Sequence, residues 1–158
     1  MRTSKQVFKE CSVFASLSES DLDRIAGLAQ PTDWEAGVTL FGESSPAKDL
    51  FVLERGKVAL QMHLGGGQTQ RAKRVTVDVV TKGDVVGWSA VVEPYKYNFT
   101  AICLEPTRLL GIDGARLRDL LRDDHRIGYE VLSRLIQVVA SRLDETRHVL
   151  ISERLASM

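Results

Sequence analysis

Within residues 83–105 the chain gathers side chains suited to holding a small molecule. Ser89, Asn98 and Thr100 are polar anchors, and Trp88, Tyr95, Tyr97 and Phe99 are stacking surfaces. The chemistry this predicts is recognition, not bond making. Apolar β-like runs, Val85-Val86 before and Phe99 to Leu104 after, flank Trp88-Ser-Ala-Val-Val-Glu93, which is too short for an ordinary helix and is stopped at Pro94. A single helical turn between strands points its first N–H groups outward, where they attract anions. The same residues also fit an aromatic-filled corner of a β-barrel, and spacing leaves both readings open.

Other chemistries find little support. A metal centre needs two or more converging histidines and a carboxylate, but His63, His125 and His148 fall on a strand end, a helix start and a distal helix. Ser89 has no histidine near it in sequence, and Cys103 reads as a strand-core thiol, so no nucleophilic arrangement is suggested. Asp84 and Glu93 could form a carboxylate pair, although a capping Asp84 and a solvated Glu93 explain them as well. The expectation is a protein without enzymatic activity and without a metal.

The elements that must position this stretch are legible from period and punctuation. Val7, Phe8, Val13, Phe14 and Leu17 supply apolar mass. Ser18 then opens a helix through Leu22, Ile25 and Ala26 that must stop before Pro31. From Trp34 the period becomes two, with Val38, Leu40, Leu50, Val52, Val58, Leu60 and Met62 in short strands punctuated by Gly37, Gly42, Gly56 and Gly65. Gly65-Gly66-Gly67 and Gln68-Thr-Gln70 predict a hairpin tip, since no helix follows to make a phosphate loop. Val75, Val77 and Val79 alternate with Thr76, Asp78 and Val80 in the returning strand, and residues 107–112 form the last one. Asp113 opens a short helix with Leu117, Leu120 and Leu121, and Asp123-Asp124 caps a long one from Ile127 to about Ile151.

That long helix carries two apolar stripes. Val131, Leu135 and Val138 suit packing on the barrel, whereas Leu132, Ile136, Val139, Leu143, Thr146 and Leu150 recur at alternating steps of four and three. The second stripe reads as a helix-pair seam about 27 Å long, flanked by Arg142, Asp144, Glu145 and Arg147. A single broad core facing both stripes is the alternative.

The order of elements resembles the cyclic-nucleotide-binding domain of the catabolite-activator-protein (Crp/Fnr-like) family. Phe14 with Leu17-Ser18 and Leu22, Glu35 to Glu43, Leu50 to Val58, Gly83 to Gly87 and Phe99 to Glu105 carry the likeness over about residues 14–150. The resemblance implies a mainly β fold with flanking helices, a double-stranded β-helix (jelly-roll) barrel with an N-terminal helix and a long C-terminal dimerisation helix. It also implies one domain over 1–158, with the barrel at about 31–113 and the C-terminal helices at about 114–155. The candidate ligand site is then Val86, Gly87, Trp88, Ser89 and Ala90 on entry and Tyr95, Lys96, Tyr97, Asn98, Phe99 and Thr100 on exit. In the family, backbone N–H groups of the turn meet a cyclic phosphate, a glutamate after the glycine takes the ribose hydroxyl, and an arginine before the outgoing strand pairs with the phosphate. Here the first position is Trp88 and the second falls on Tyr97 or Asn98. Each lost charged hydrogen bond is worth about 1.5–3 kcal/mol, so losing both should weaken ordinary cyclic-nucleotide binding by roughly 10²- to 10⁴-fold.

Three functional expectations follow: a ligand-sensing regulatory module with an altered site, a ligand-free dimeric scaffold for another protein, or a weak cyclic-nucleotide binder using Lys96. No cofactor is assigned beyond a cyclic nucleotide or other small molecule. The 158 residues balance 21 Lys+Arg against 21 Asp+Glu, so overall charge pulls the chain toward neither nucleic acid nor an anionic membrane. The family's regulators carry a helix-turn-helix after the long helix and this sequence stops at Met158, so direct DNA binding is not expected. With no export signal or membrane span read in it, and with Cys11 and Cys103 unpaired by spacing, the chain reads as cytoplasmic.

Overall fold

The computed structural model describes residues 2–65 and 73–156. Sequence reading leaves the first segment as apolar mass alone. The structure adds a helix, α1 (Ser4–Lys9), closed by a reciprocal cap in which Gln6 N donates to Thr3 Oγ1 at 3.2 Å and Thr3 N donates to Gln6 Oε1 at 2.8 Å. Helix α2 (Glu19–Ala26) begins as expected at Ser18, whose hydroxyl accepts from Asp21 N at 3.2 Å.

Among the described residues eight antiparallel strands follow: β1 (Ala29–Trp34), β2 (Thr39–Phe41), β3 (Asp49–Arg55), β4 (Val58–Leu64), β5 (Lys73–Val80), β6 (Val85–Val86), β7 (Thr100–Cys103) and β8 (Thr107–Asp113). They form two four-stranded sheets, ordered β1-β8-β3-β6 and β2-β7-β4-β5, the expected jelly-roll class. One boundary needs correction. The first strand begins at Ala29, not near Trp34, and runs through Pro31, which is tolerated because β1 lies at a sheet edge.

Within the β1-β8-β3-β6 sheet, β3 and β8 are buried on both faces, which explains unbroken apolar runs such as Leu50-Phe-Val-Leu53, whereas the edge strand β1 is largely exposed. Leu50, Val52, Leu110 and Ile112 face a core shared with Phe8, Phe14, Ile25, Leu117, Ile127 and Val131 of the helices and their connections. Phe51, Leu53 and Leu109 turn the other way and meet Val58, Leu60, Val80, Phe99 and Ala101 inside the barrel. Each fully buried side chain of this kind contributes about 1.5–3 kcal/mol.

The alternation predicted for β5 fails halfway. Leu60 pairs with Asp78 but Gln61 pairs with Thr76, so Val77 is an extra residue and the pleat changes phase. Val77 and Val80 are therefore buried, while Val79 faces solvent. The hairpin tip expected at Gly65-Gly66-Gly67 and Gln68 to Gln70 lies, beyond Gly65, outside the described residues; the strands flanking it do pair, Leu64 opposite Lys73.

Helix α3 (Gly114–Asp123) is capped by Asp113, whose carboxylate accepts from Ala115 N at 3.0 Å. Helix α4 (His125–Ala156) starts on Asp124, whose carboxylate accepts from Arg126 N and Ile127 N, both at 3.1 Å. Arg126 ties this end to α2 with two hydrogen bonds to the buried Asp21 carboxylate, at 2.6 and 2.9 Å. Val131 and Leu135 pack inward as expected, with Val138 half-buried behind them. No helix among the described residues is long and apolar enough to cross a membrane.

Candidate ligand site between the β6–β7 cassette and the long helix

The segment from β6 to β7, here called the cassette, is shaped locally by its glycines. Asp84 closes the turn before it, its carboxylate accepting from Thr81 N at 2.9 Å, and Glu93 is exposed. Gly87 has φ +82°, and a Cβ there would come within 2.9 Å of Asp49 O and 3.1 Å of the Tyr97 ring. Such a backbone position admits only glycine without strain. The predicted helical turn is present as a 3-10 turn, Trp88–Val91, in which Ala90 N donates to Gly87 O at 3.0 Å.

Helix α3 braces this turn from behind. Arg118 donates to Ala90 O at 2.6 Å, and its guanidinium lies 4.1 Å above the Tyr95 ring. Gly114 packs so closely that an added Cβ would sit 2.8 Å from Ala90 O. By sequence, Arg118 is one of several scattered arginines among acids; in the structure it holds the cassette to the helix that leads into α4.

The return path fills the space under the turn with protein. Ser44 N donates to Tyr97 O at 2.8 Å and Tyr97 N to Ser45 O at 3.0 Å, fixing the backbone. The Tyr97 hydroxyl donates to Asp49 O at 2.7 Å and accepts from Asp49 N at 3.1 Å. Its ring stacks on Phe41 with centroids 3.7 Å apart and planes 13° from parallel. Burial pushes the phenol pKa up, so the hydroxyl keeps the proton it donates. What remains between Phe41, Gly87, Ser89 and Tyr97 is about 10 Å³, no more than a single water needs.

Next to this sealed space lies an open cleft of about 330 Å³ between the cassette, β4 and α4, at the low end for small-molecule sites. Trp88 and Phe99 form its cassette wall, Met62 its floor, and Val139 and Leu143 its helix wall. The polar anchors expected from the sequence already have partners: Asn98 Nδ2 donates to Ser89 Oγ at 3.2 Å, and Thr100 Oγ1 accepts from Glu43 N at 3.0 Å. Val86 and Ala90 are core side chains. Lys96 is exposed, bridged by backbone to Pro46, and lines neither space. His63 reaches the cleft, while His125 and His148 belong to α4 away from it.

One site residue was not anticipated. Arg142 of α4 is buried and lines both the sealed space and the cleft. Its Nη1 donates to the Asp78 carboxylate on β5 at 2.9 Å, and its buried Nε has no hydrogen-bond partner among the described residues. The sequence places it among the charges flanking the seam, yet a signal was available: Val131, Leu135, Val138 and Arg142 follow one another at steps of four, three and four, so Arg142 continues the inward stripe. Of the seam residues, Leu132, Ile136, Leu143 and Leu150 are exposed, whereas Val139 and Thr146 are half-buried and line the cleft.

Residues 31–124 match the family model of the cyclic nucleotide-binding domain. Over 143 residues, 90% of this chain, the sequence is 22% identical to a CRP-like cAMP-activated global transcriptional regulator of Mycobacterium tuberculosis, and it spans about 60% of that relative's length. Among solved structures, a putative cyclic nucleotide-binding protein from Geobacter metallireducens GS-15 superposes with a TM-score of 0.75 at 28% identity, covering 90% of this chain and 99% of that one. The catabolite activator protein of Thermus thermophilus superposes at 0.69 with 23% identity, covering 92% of this chain and 63% of its own, a likeness of fold. With the family model matched over more than half of the residues, and the jelly roll, cassette and long helix in the same order, this chain belongs to the cyclic nucleotide-binding domain family.

Proposed function

We propose that the chain is a non-enzymatic regulatory module that senses a small ligand in the cleft beside the cassette, not on the cassette's own turn, and that it acts as a homodimer paired through α4. The observation that carries this reading is the contrast between about 10 Å³ under the turn and about 330 Å³ beside it. The Tyr97 ring lies against Gly87, where the resemblance puts a cyclic phosphate, and Trp88 and either Tyr97 or Asn98 bring no charge to the two positions that hold the nucleotide in the family. The loss of roughly 10²- to 10⁴-fold in affinity then applies to unmodified cAMP.

A ligand in the cleft would touch Trp88 and Phe99 on one side and Val139 and Leu143 on the other. Occupancy would therefore bias the position of α4 against the barrel, the differential contact that a signal requires. The exposed row Leu132, Ile136, Leu143 and Leu150 supports pairing of α4 with a second copy. The sealed turn by itself favours a second reading, a ligand-free dimeric scaffold for another protein.

Titration calorimetry with cAMP and cGMP, alongside a thermal-shift screen of small molecules, tests these readings. The expected result is no micromolar uptake of either nucleotide, together with stabilisation by some other compound. A ligand at 100 times its Kd adds about 2.7 kcal/mol. Micromolar or tighter cAMP binding would overturn the proposal; if Lys96→Ala then abolished it, the weak-binder alternative would stand in its place. A silent screen would leave the scaffold reading.

A further inference from the structure

On the other flank of α4 from the candidate cleft lies a second space of about 210 Å³, open to solvent, and we infer that it is a site for a small zwitterion of the α-amino acid type. Three parts of the fold meet around it: Ser12 from the connection between α1 and α2, Asp84 at the entry to β6, and Arg134, Gln137 and Ser141 of α4. The last three recur at steps of three and four, across the inward stripe from Leu132, Ile136 and Leu143. Pairing through the seam would leave this space open, and the inference does not depend on what occupies the cleft.

The Asp84 wall is set by contacts within the chain. Leu53 N donates to Asp84 O at 3.0 Å, and the Asp84 carboxylate accepts from Thr81 N at 2.9 Å. A Cβ added to Gly83 would sit 2.8 Å from Glu10 O, so this turn is seated on the N-terminal segment. The other polar side chains are uncommitted. Ser12, Arg134, Gln137 and Ser141 make no side-chain hydrogen bond or ion pair among the described residues, whereas Asn98 and Thr146 in the cleft beside the cassette are already bonded.

The charges decide the ligand. Arg142, which also borders this space, is bound to Asp78 at 2.9 Å. That leaves the Arg134 guanidinium and the Asp84 carboxylate, which line the same space without pairing with each other. A carboxylate accepts more than the bond that Thr81 N supplies, and a guanidinium has donors to spare. A simple anion would gain Arg134 but be opposed by Asp84, and a simple cation would meet the reverse. A molecule with both charges close together satisfies both, its carboxylate on Arg134 and its ammonium on Asp84. The space is smaller than the roughly 300 Å³ at which drug-sized sites begin, and its apolar lining is Val85 and Val138, which suits a short side chain.

Two-dimensional amide NMR of the full chain, titrated with L-valine, 3-methylbutanoate and 2-methylpropan-1-amine, tests the assignment; the second compound lacks the ammonium and the third the carboxylate. L-valine is expected to saturate at millimolar concentration or below, with shifts centred on residues 12, 84–85 and 134–141. Each analogue should bind about tenfold to a hundredfold more weakly. Arg134→Gln should lower L-valine to the affinity of the amine, and Asp84→Asn, which keeps an oxygen for Thr81 N, to that of 3-methylbutanoate. Either analogue binding as tightly as L-valine, no uptake of L-valine, shifts centred on Trp88 and Leu143 instead, or an unchanged affinity in Arg134→Gln would each overturn the assignment. Should Asp84→Asn fail to fold, Arg134→Gln and the comparison of the three compounds still decide.

Discussion

Replacing Tyr97 by phenylalanine tests whether the turn is sealed by design of its hydrogen bonds or by packing alone. The substitution keeps the ring, and with it the 3.7 Å stack on Phe41, but removes the hydroxyl that donates to Asp49 O at 2.7 Å and accepts from Asp49 N at 3.1 Å. Both bonds anchor the cassette to the first residue of β3, half-buried beside the opening of α3. Two backbone groups deprived of a partner in such a place cost about 1–3 kcal/mol together. For a chain of this length that is roughly a 4–8 °C drop in Tm for the middle of the range. Urea unfolding followed by circular dichroism gives the number, and an unchanged m-value would show that the compactness of the two states is preserved. Tyr95→Phe is the control, since that ring meets Arg118 through its face, and it should stay within about 0.5 kcal/mol. Tyr97→Ala, which also removes the ring, should cost about 3–5 kcal/mol through the cavity it leaves. It should still bring no micromolar cAMP uptake, because the change adds no charge at the two positions that hold the nucleotide in the family. A Tyr97→Phe protein as stable as the parent would refute the claim that these two bonds hold the site shut.

Arg118→Leu should destabilise by about 1–2 kcal/mol through loss of the bond to Ala90 O and the contact with Tyr95. Amide exchange of residues 88–95 should quicken, and unchanged exchange would remove α3 as the brace of the cassette. Acid should weaken the fold by a predictable route. Lys5 and Lys9 hold the Glu19 carboxyl down at about 2, and the Arg126 guanidinium holds that of Asp21 below its ordinary value. A depressed carboxyl contributes stability above its unfolded pKa of about 4 and loses it as pH falls through the folded value. The urea midpoint should therefore fall from about pH 4 toward 2, with a shallower fall in Asp21→Asn. Ile136→Lys places a charge on a residue 67% exposed, so it should leave the chain's own stability within about 0.5 kcal/mol while reducing the sedimenting mass to that of a single chain. An unaltered sedimentation coefficient would count against pairing through α4.

Signals that act over a few residues were legible from the start. Ser18, Asp113 and Asp124 announced helix entries because a capping oxygen and the N–H it serves lie within three residues of each other. Gly87 and the short run after it announced a turn between strands, and the stripe Val131, Leu135 and Val138 announced the buried side of the long helix. The phase change in β5 was not legible, because a bulge is a property of two paired strands and nothing in Val75 to Val80 alone reveals it.

The site divides along the same line. Sequence alone set the expectation that the charged partners of a cyclic nucleotide are missing, since the resemblance puts Trp88 at one of their positions and Tyr97 or Asn98 at the other. Only the tertiary structure decided what surrounds these residues. Tyr97 finds Asp49, 48 residues away, and Arg142 reaches the cassette and Asp78 from a helix 64 residues beyond its partner. Contacts of that range depend on how the two sheets and α4 close upon one another, and local period and capping carry no record of that closure.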